Sequence, residues 1–301
     1  MDDVAIVLGA GGPVGHAFHT GVLRALADAL DWDPAEARLV VGTSAGAQVG
    51  ALLRAGMSPA DLMARVVGEA MTPAGASIAR HWVRPDRDEP RKKPWRFSSP
   101  RYLRTLLEAP WKARPGRVVS AILPPGEVEL LPQIEGLRRV FGDRWPERKL
   151  WVTALDLHTG ERFVFGRDEA PGVCVGTAVA ASGAVPGVVA PVRAAGTELI
   201  DGGLASPTHL DLLEREGPST VIVSSPLSMI PPMRLLLARE VWRLRRAGKR
   251  VIVFEPEGEA SKVMGLDPMD LGRAPAVARA AYRVARDRLA ASSPFQQMSQ
   301  K

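Results

Sequence analysis

Cysteine occurs once in 301 residues, at Cys174, so neither an intramolecular disulfide nor a thiolate-rich metal cluster is available to hold the chain together. Tyrosine is nearly as scarce, with two copies against seven Trp and seven Phe. The N-terminus, Met1-Asp2-Asp3, has no basic region and no cleavage site behind an apolar stretch, so no secretory leader is expected. No acidic calcium loop is present, which argues against calcium activation. The longest uncharged run, residues 171–192, is about long enough to span a bilayer by residue count. It consists largely of Ala, Gly and Val with three prolines and lacks Leu, Ile and Phe, which suits a buried helix followed by a loop. These absences point to a cytoplasmic protein.

What is present is ordinary globular material: 46% hydrophobic and 24% charged residues, enough in a chain of this length for a sizeable core. The charge is concentrated. Residues 80–117 carry 12 Lys/Arg against 4 Asp/Glu, a local balance of +8 in a chain whose total is +6, so the remainder is slightly acidic. Trp82, Trp95 and Trp111 lie in the same segment, among prolines. Indoles between cations suit peripheral contact with an anionic membrane, where Trp sits at headgroup level. Nucleic acid would feel the same charge, but no nucleic-acid-binding module accompanies it, and none is expected as a partner. A solvated Arg-rich excursion is the plain alternative. Neutralising Arg91, Lys92 and Lys93 separates these readings by its effect on anionic against neutral vesicles.

Short apolar runs at residues 4–8, 38–41, 150–157, 198–200, 220–224 and 250–254 read as strands, with a hairpin partner at 162–165. Helical spacing is expected over 15–30, 45–55, 59–70 (capped by Ser58), 101–107, 117–122, 129–141, 233–247 and 276–291. Strands alternating with helices imply a mostly parallel sheet covered on both faces. One domain over residues 1–291, with a basic insertion at about 75–117 and a loose tail at 292–301, accounts for the pattern.

Two glycine-rich turns sit between strand and helix near the N-terminus. The first, Gly9-Ala10-Gly11-Gly12-Pro13-Val14-Gly15, can direct backbone N–H groups at one spot beside a helix N-terminus. A dinucleotide pyrophosphate and an acyl-transfer oxyanion both use such a turn. The second is Gly42-Thr43-Ser44-Ala45-Gly46, a GxSxG nucleophile elbow in strand–turn–helix context. A dinucleotide site wants a carboxylate at the end of this second strand, and Val40-Val41-Gly42 offers none.

The five histidines give no convincing base for Ser44. His158 occupies the hairpin turn, while His16 and His19 fall on the first helix, where a structural role fits better. Asp201, in Ile200-Asp201-Gly202-Gly203, is the stronger candidate, because an Asp can accept a proton directly from a Ser hydroxyl. By itself it would pass for a turn aspartate.

Taken together, these motifs resemble the patatin-like phospholipase family. The resemblance rests on the glycine loop ahead of Gly21-Val22-Leu23, the elbow at Gly42–Gly46 with Ser44 at its centre, the segment Ala180-Ala181-Ser182-Gly183-Ala184-Val185-Pro186-Gly187, and Asp201-Gly202-Gly203, in that order. It implies a three-layer α/β fold with a mostly parallel central sheet and helices on both faces. It also implies a lipid acyl hydrolase with Ser44 as nucleophile, Asp201 as base, and Gly11, Gly12 and Ala45 N–H groups as oxyanion donors. No metal or organic cofactor is required, and the expected partner is a lipid substrate. The chain departs from the family pattern at Ala10, where a glycine is usual, and at Val14, where Arg or Lys is usual. That altered loop keeps open a lipid- or membrane-binding protein with degraded activity on the same fold.

Overall fold

The computed structural model describes residues 3–82, 98–108, 118, 121–124 and 126–291. Most of the basic insertion, including Trp95, Trp111, Arg91, Lys92 and Lys93, lies outside the described residues. So do half of the helix expected at 117–122 and the tail after 291.

In chain order the elements are β1 (Val4–Leu8), α1 (Gly12–Leu30), β2 (Leu39–Thr43), α2 (Ala45–Arg54), α3 (Pro59–Val67), α4 (Pro73–Ala79) and α5 (Pro100–Glu108). They continue with α6 (Leu131–Phe141), β3 (Lys149–Asp156), β4 (Arg162–Phe165), α7 (Val175–Ser182), β5 (Val192–Ala194) and β6 (Thr197–Asp201). Last come β7 (Thr220–Ser224), α8 (Pro231–Arg246), β8 (Arg250–Phe254), α9 (Gly258–Met264) and α10 (Ala274–Ala291). All eight strands join one sheet in the order β5-β6-β3-β2-β1-β7-β8, with β4 paired to β3 off that path. The central run from β3 through β2, β1 and β7 to β8 is parallel, whereas β4 and β6 pair antiparallel with β3.

Strand β1 explains why its sequence is apolar without alternation. Val4, Ile6 and Leu8 enter a core shared with α1, α2, α7 and α10, while Ala5 and Val7 enter a second core under α8. A strand buried on both faces has no position for a polar side chain. The sheet is thus the middle of three layers, as expected.

Several boundaries move for local reasons. Helix α1 begins at Gly12 with Pro13 in its first turn, three residues ahead of the expected start. Helix α3 is capped by Ser58, whose hydroxyl accepts the Asp61 N–H, and stops at Gly68 in the left-handed conformation. The uncharged run resolves into α7, a loop and the start of β5, and among the described residues no helix is long and apolar enough to cross a membrane. Of the three indoles in the basic segment, Trp82 is described, and it is not interfacial. It is only 6% exposed and belongs to the main core, and Arg65 of α3 donates to its carbonyl at 3.2 Å.

Candidate active site

The register of β3 brings the two candidate residues together. Val152 and Thr153 pair with both β2 and β4, so those strands occupy opposite edges of β3. Ala154 and Leu155 pair with both β4 and β6, which puts β6 on the same edge as β2. Strand β2 ends at Thr43, opposite Thr153, and β6 ends at Asp201, opposite the next residue, Ala154. The two strands therefore meet end to end, and the turns leaving them share one space.

Ser44 stands at the N-terminus of α2 with φ 54° and ψ −116°, a conformation sparsely populated by residues with a side chain. The surrounding packing holds it there. A Cβ on Gly46 would run into the carbonyl of Leu8, and one on Gly42 would lie 2.5 Å from the Ala47 Cα. Only glycine lets the elbow pack this closely on β1 and on itself. The Ser44 N–H donates to the Ser182 hydroxyl at 2.8 Å, and its carbonyl accepts from Ala47 and Gln48.

Asp201 is 5% exposed. Burial pushes its carboxyl up to about pH 6, against the opposing effect of the neighbouring Ser44 hydroxyl and of the Gly203 N–H, both of which favour the charged form. The Gly203 bond is 2.7 Å long. Two residues beyond Ser182, the Ala184 carbonyl accepts the Asp201 N–H at 3.0 Å. The end of α7 thereby grips the backbone of both candidate residues, a role for Ser182 that the sequence motif contained but did not reveal.

The glycine loop lies across the end of β1. Its Ala10 N–H donates to Pro207 and its Val14 N–H to Pro268, while Val14 itself is buried in the core. Between those anchors are the N–H groups of Gly11 and Gly12. Gly12 and Ala45 are the first residues of α1 and α2, positions whose N–H groups have no intrahelical acceptor. Gly12, Ser44 and Ala45 line one cavity of about 160 Å³, whose other walls include Trp82, Leu130, Val185, Val189 and Met269. Gly11, Gly42, Gly46, Asp201, Gly202 and Gly203 do not line it.

His16 lines the cavity with Ser44, whereas His19 and His209 serve the site from outside it. Buried His19 donates its Nε2–H to the Gly9 carbonyl at 2.8 Å and accepts the Ser224 hydroxyl at Nδ1. Burial lowers its pKa to about 4, the Gly9 bond opposing, so the ring is neutral at ordinary pH. His209 likewise donates Nε2–H to the Gly202 carbonyl at 2.9 Å, and its Nδ1 accepts from Arg162, which is paired with Asp211. The segment carrying His209 is fastened by Glu240 of α8, whose carboxylate accepts from Ser206, Thr208 and the Leu210 N–H. His158 pairs with Glu198 at 3.0 Å. Apart from the bonds of His19 to Gly9 and of His209 to Gly202, these contacts join segments far apart in sequence, and only His158 stood in a recognisable turn. Among the described residues no group of three His, Cys, Asp or Glu is placed to hold a metal ion.

A family model described as patatin-like phospholipase matches residues 6–213. No curated protein matches the chain. Among solved structures, VipD from Legionella pneumophila is similar at 15% identity and a TM-score of 0.45, covering 96% of this chain and 67% of its own. The type III effector ExoU is similar at 15% identity and a TM-score of 0.39, covering 99% of this chain and 54% of its own. The elbow, the glycine loop and Asp201 all fall within the matched residues, and the chain belongs to the patatin-like phospholipase family.

Proposed function

We propose that this protein is a serine esterase that hydrolyses acyl esters of lipids, of the phospholipase A or lysophospholipase type, through a Ser44–Asp201 dyad. The observation that carries the reading is the end-to-end meeting of β2 and β6, which sets Ser44 beside a buried carboxyl whose affinity for protons burial raises to about pH 6. That base is better matched to neutral pH than an ordinary Asp. The apolar walls beside Ser44 suit an acyl chain.

In the reaction, the Ser44 oxygen attacks the ester carbonyl as Asp201 takes its proton. The Gly11, Gly12 and Ala45 N–H groups receive the negative charge that develops on the carbonyl oxygen. Collapse of the tetrahedral intermediate breaks the ester C–O bond, and the departing alcohol takes the proton from Asp201. Water then attacks the acyl-serine while Asp201 accepts its proton. The second collapse returns that proton to Ser44 and releases the fatty acid. No step calls on a metal or organic cofactor.

The test is intact mass after exposure to a fluorophosphonate, with wild type and Ser44→Ala, in the presence and absence of vesicles. One adduct in wild type, absent from the variant, together with a loss of about 10³-fold or more in ester turnover, is expected. Absence of an adduct under both conditions would replace this reading with a non-catalytic lipid-binding protein on the same fold.

A further inference from the structure

Helix α8 lies on the opposite side of the sheet from α1, α2 and α10, and buries Leu237, Val241 and Leu244. At 3.6 residues per turn, the line diametrically opposite those three carries Leu235, Arg239, Trp242 and Arg246, spaced by four, three and four. This is the outermost line of the helix, where a water-facing surface is normally polar. Here Leu235 is 74% and Trp242 56% exposed, and the Arg246 guanidinium sits 4.9 Å over the indole. Residues 231–250 hold seven Lys/Arg and one acid, Glu240, which is turned inward. Arg234 and Arg243 reach flanking Glu255 and Glu214, whereas Arg239 and Arg246 have no acidic partner among the described residues.

We propose that this stripe is a docking surface for an anionic lipid bilayer. The charge specifies an anionic partner, and the two outermost apolar side chains specify one with an apolar layer beneath its anions. A helix lying flat would place Trp242 at headgroup depth with arginines on either side. A nucleic acid would satisfy the cations but leave Leu235 and Trp242 against phosphate or water. A second copy of this chain would set like charge against like. Helix α8 also starts close to the site, since Pro226, just before it, packs on Gly11 of the glycine loop. The surface is distinct from the basic insertion, and it is tested by binding, independently of turnover.

The experiment is co-sedimentation of the full chain with phosphatidylcholine vesicles and with mixed phosphatidylglycerol/phosphatidylcholine vesicles. Each arginine near an anionic surface contributes about 1 kcal/mol, so removing two lowers affinity for mixed vesicles about thirtyfold, and Arg239→Glu/Arg246→Glu by at least that much. Leu235→Ser/Trp242→Ser is expected to weaken the same binding, with the thermal midpoint and hydrolysis of a short soluble ester unchanged. Trp242→Phe removes the blue shift of tryptophan emission on vesicle addition. The proposal is overturned if wild type does not bind mixed vesicles, or if both double variants bind as wild type does, which would assign binding elsewhere. It is equally overturned if a short DNA duplex binds more tightly and is lost with the same substitutions, or if the stripe proves to hold a dimer that both variants dissociate in sedimentation equilibrium.

Discussion

Thr43 and Asp201 lie on one edge of β3, opposite its successive residues Thr153 and Ala154. One strand enters the site from the parallel core and the other from the antiparallel arm, and both stop where they meet. Ser44 needs only the next peptide unit to reach the carboxylate. The juxtaposition is a property of the sheet register, and the buried side chains around it follow from that.

The ionisation of Asp201 sets a pH dependence. Turnover by a Ser–Asp dyad requires the carboxylate, so kcat/KM for a soluble ester is expected to rise with an apparent pKa near the value of about 6 set by burial. A pH–rate profile with its acid limb near the ordinary carboxylate value of about 4 would contradict that environment.

The same group lowers stability when charged. Its folded-state pKa lies above the unfolded value of 3.8, so between these values the folded protein binds more protons, and stability falls as pH rises from about 4 through about 6. Asp201→Asn removes the buried charge. At pH 7 it is expected to abolish turnover yet raise stability by up to about 3 kcal/mol, measured by denaturant unfolding. A less stable variant would show that the ionised carboxylate is a net structural support.

Ser182→Ala leaves the Ser44 N–H, in a fully buried setting, without its acceptor. A loss of about 1–3 kcal/mol in stability is expected, together with about tenfold lower kcat, because the elbow loses its hydrogen bond to the end of α7. Wild-type kcat in a destabilised variant would confine Ser182 to folding.

His209 distinguishes positioning from bulk. His209→Ala removes the donor to Gly202 and the acceptor for Arg162, whereas His209→Gln can supply both. Turnover is expected to fall about a hundredfold in the first and to recover to within about tenfold in the second, with KM little changed. Equal loss in both, tracking the thermal midpoint, would argue for a packing role only.

Gly46→Ala tests the close approach of α2 to β1. Its Cβ would meet the Leu8 carbonyl, which is main chain in a central strand and cannot swing aside. A loss of about 3 kcal/mol or more, or failure to fold, is expected by thermal unfolding. A normally stable variant would mean that the elbow can shift as a unit.

Much of this architecture is legible in the sequence because burial on both faces writes itself as an apolar run. Strands β1, β2, β7 and β8 each carry a run of three to five apolar residues. Ser44 and Asp201 stand out because glycines bracket them at the ends of such strands. Strand β5 is hidden, since Val192, Arg193 and Ala194 are too few and too exposed to show a period. Helices α4 and α9, of seven residues each, are short for the same test. Trp82 looked interfacial by its basic neighbours, yet tertiary packing draws it into the core. Ser182, His19, His209 and Glu240 act through hydrogen bonds across the fold, and no local pattern marks a residue whose partner is set by topology.

The end-to-end meeting of β2 and β6 gives the reactive chemistry a built-in delay. Ser44, the proposed nucleophile, is encoded early and Asp201, its proposed base, late, and the two strand ends that carry them meet only when the antiparallel arm has closed on β3. A growing or partly folded chain thus exposes a serine with an ordinary hydroxyl, as inert toward esters as any other. If the dyad acts as proposed, hydrolytic competence arrives with completion of the sheet, and a chain that misassembles this arm is harmless to the lipids around it.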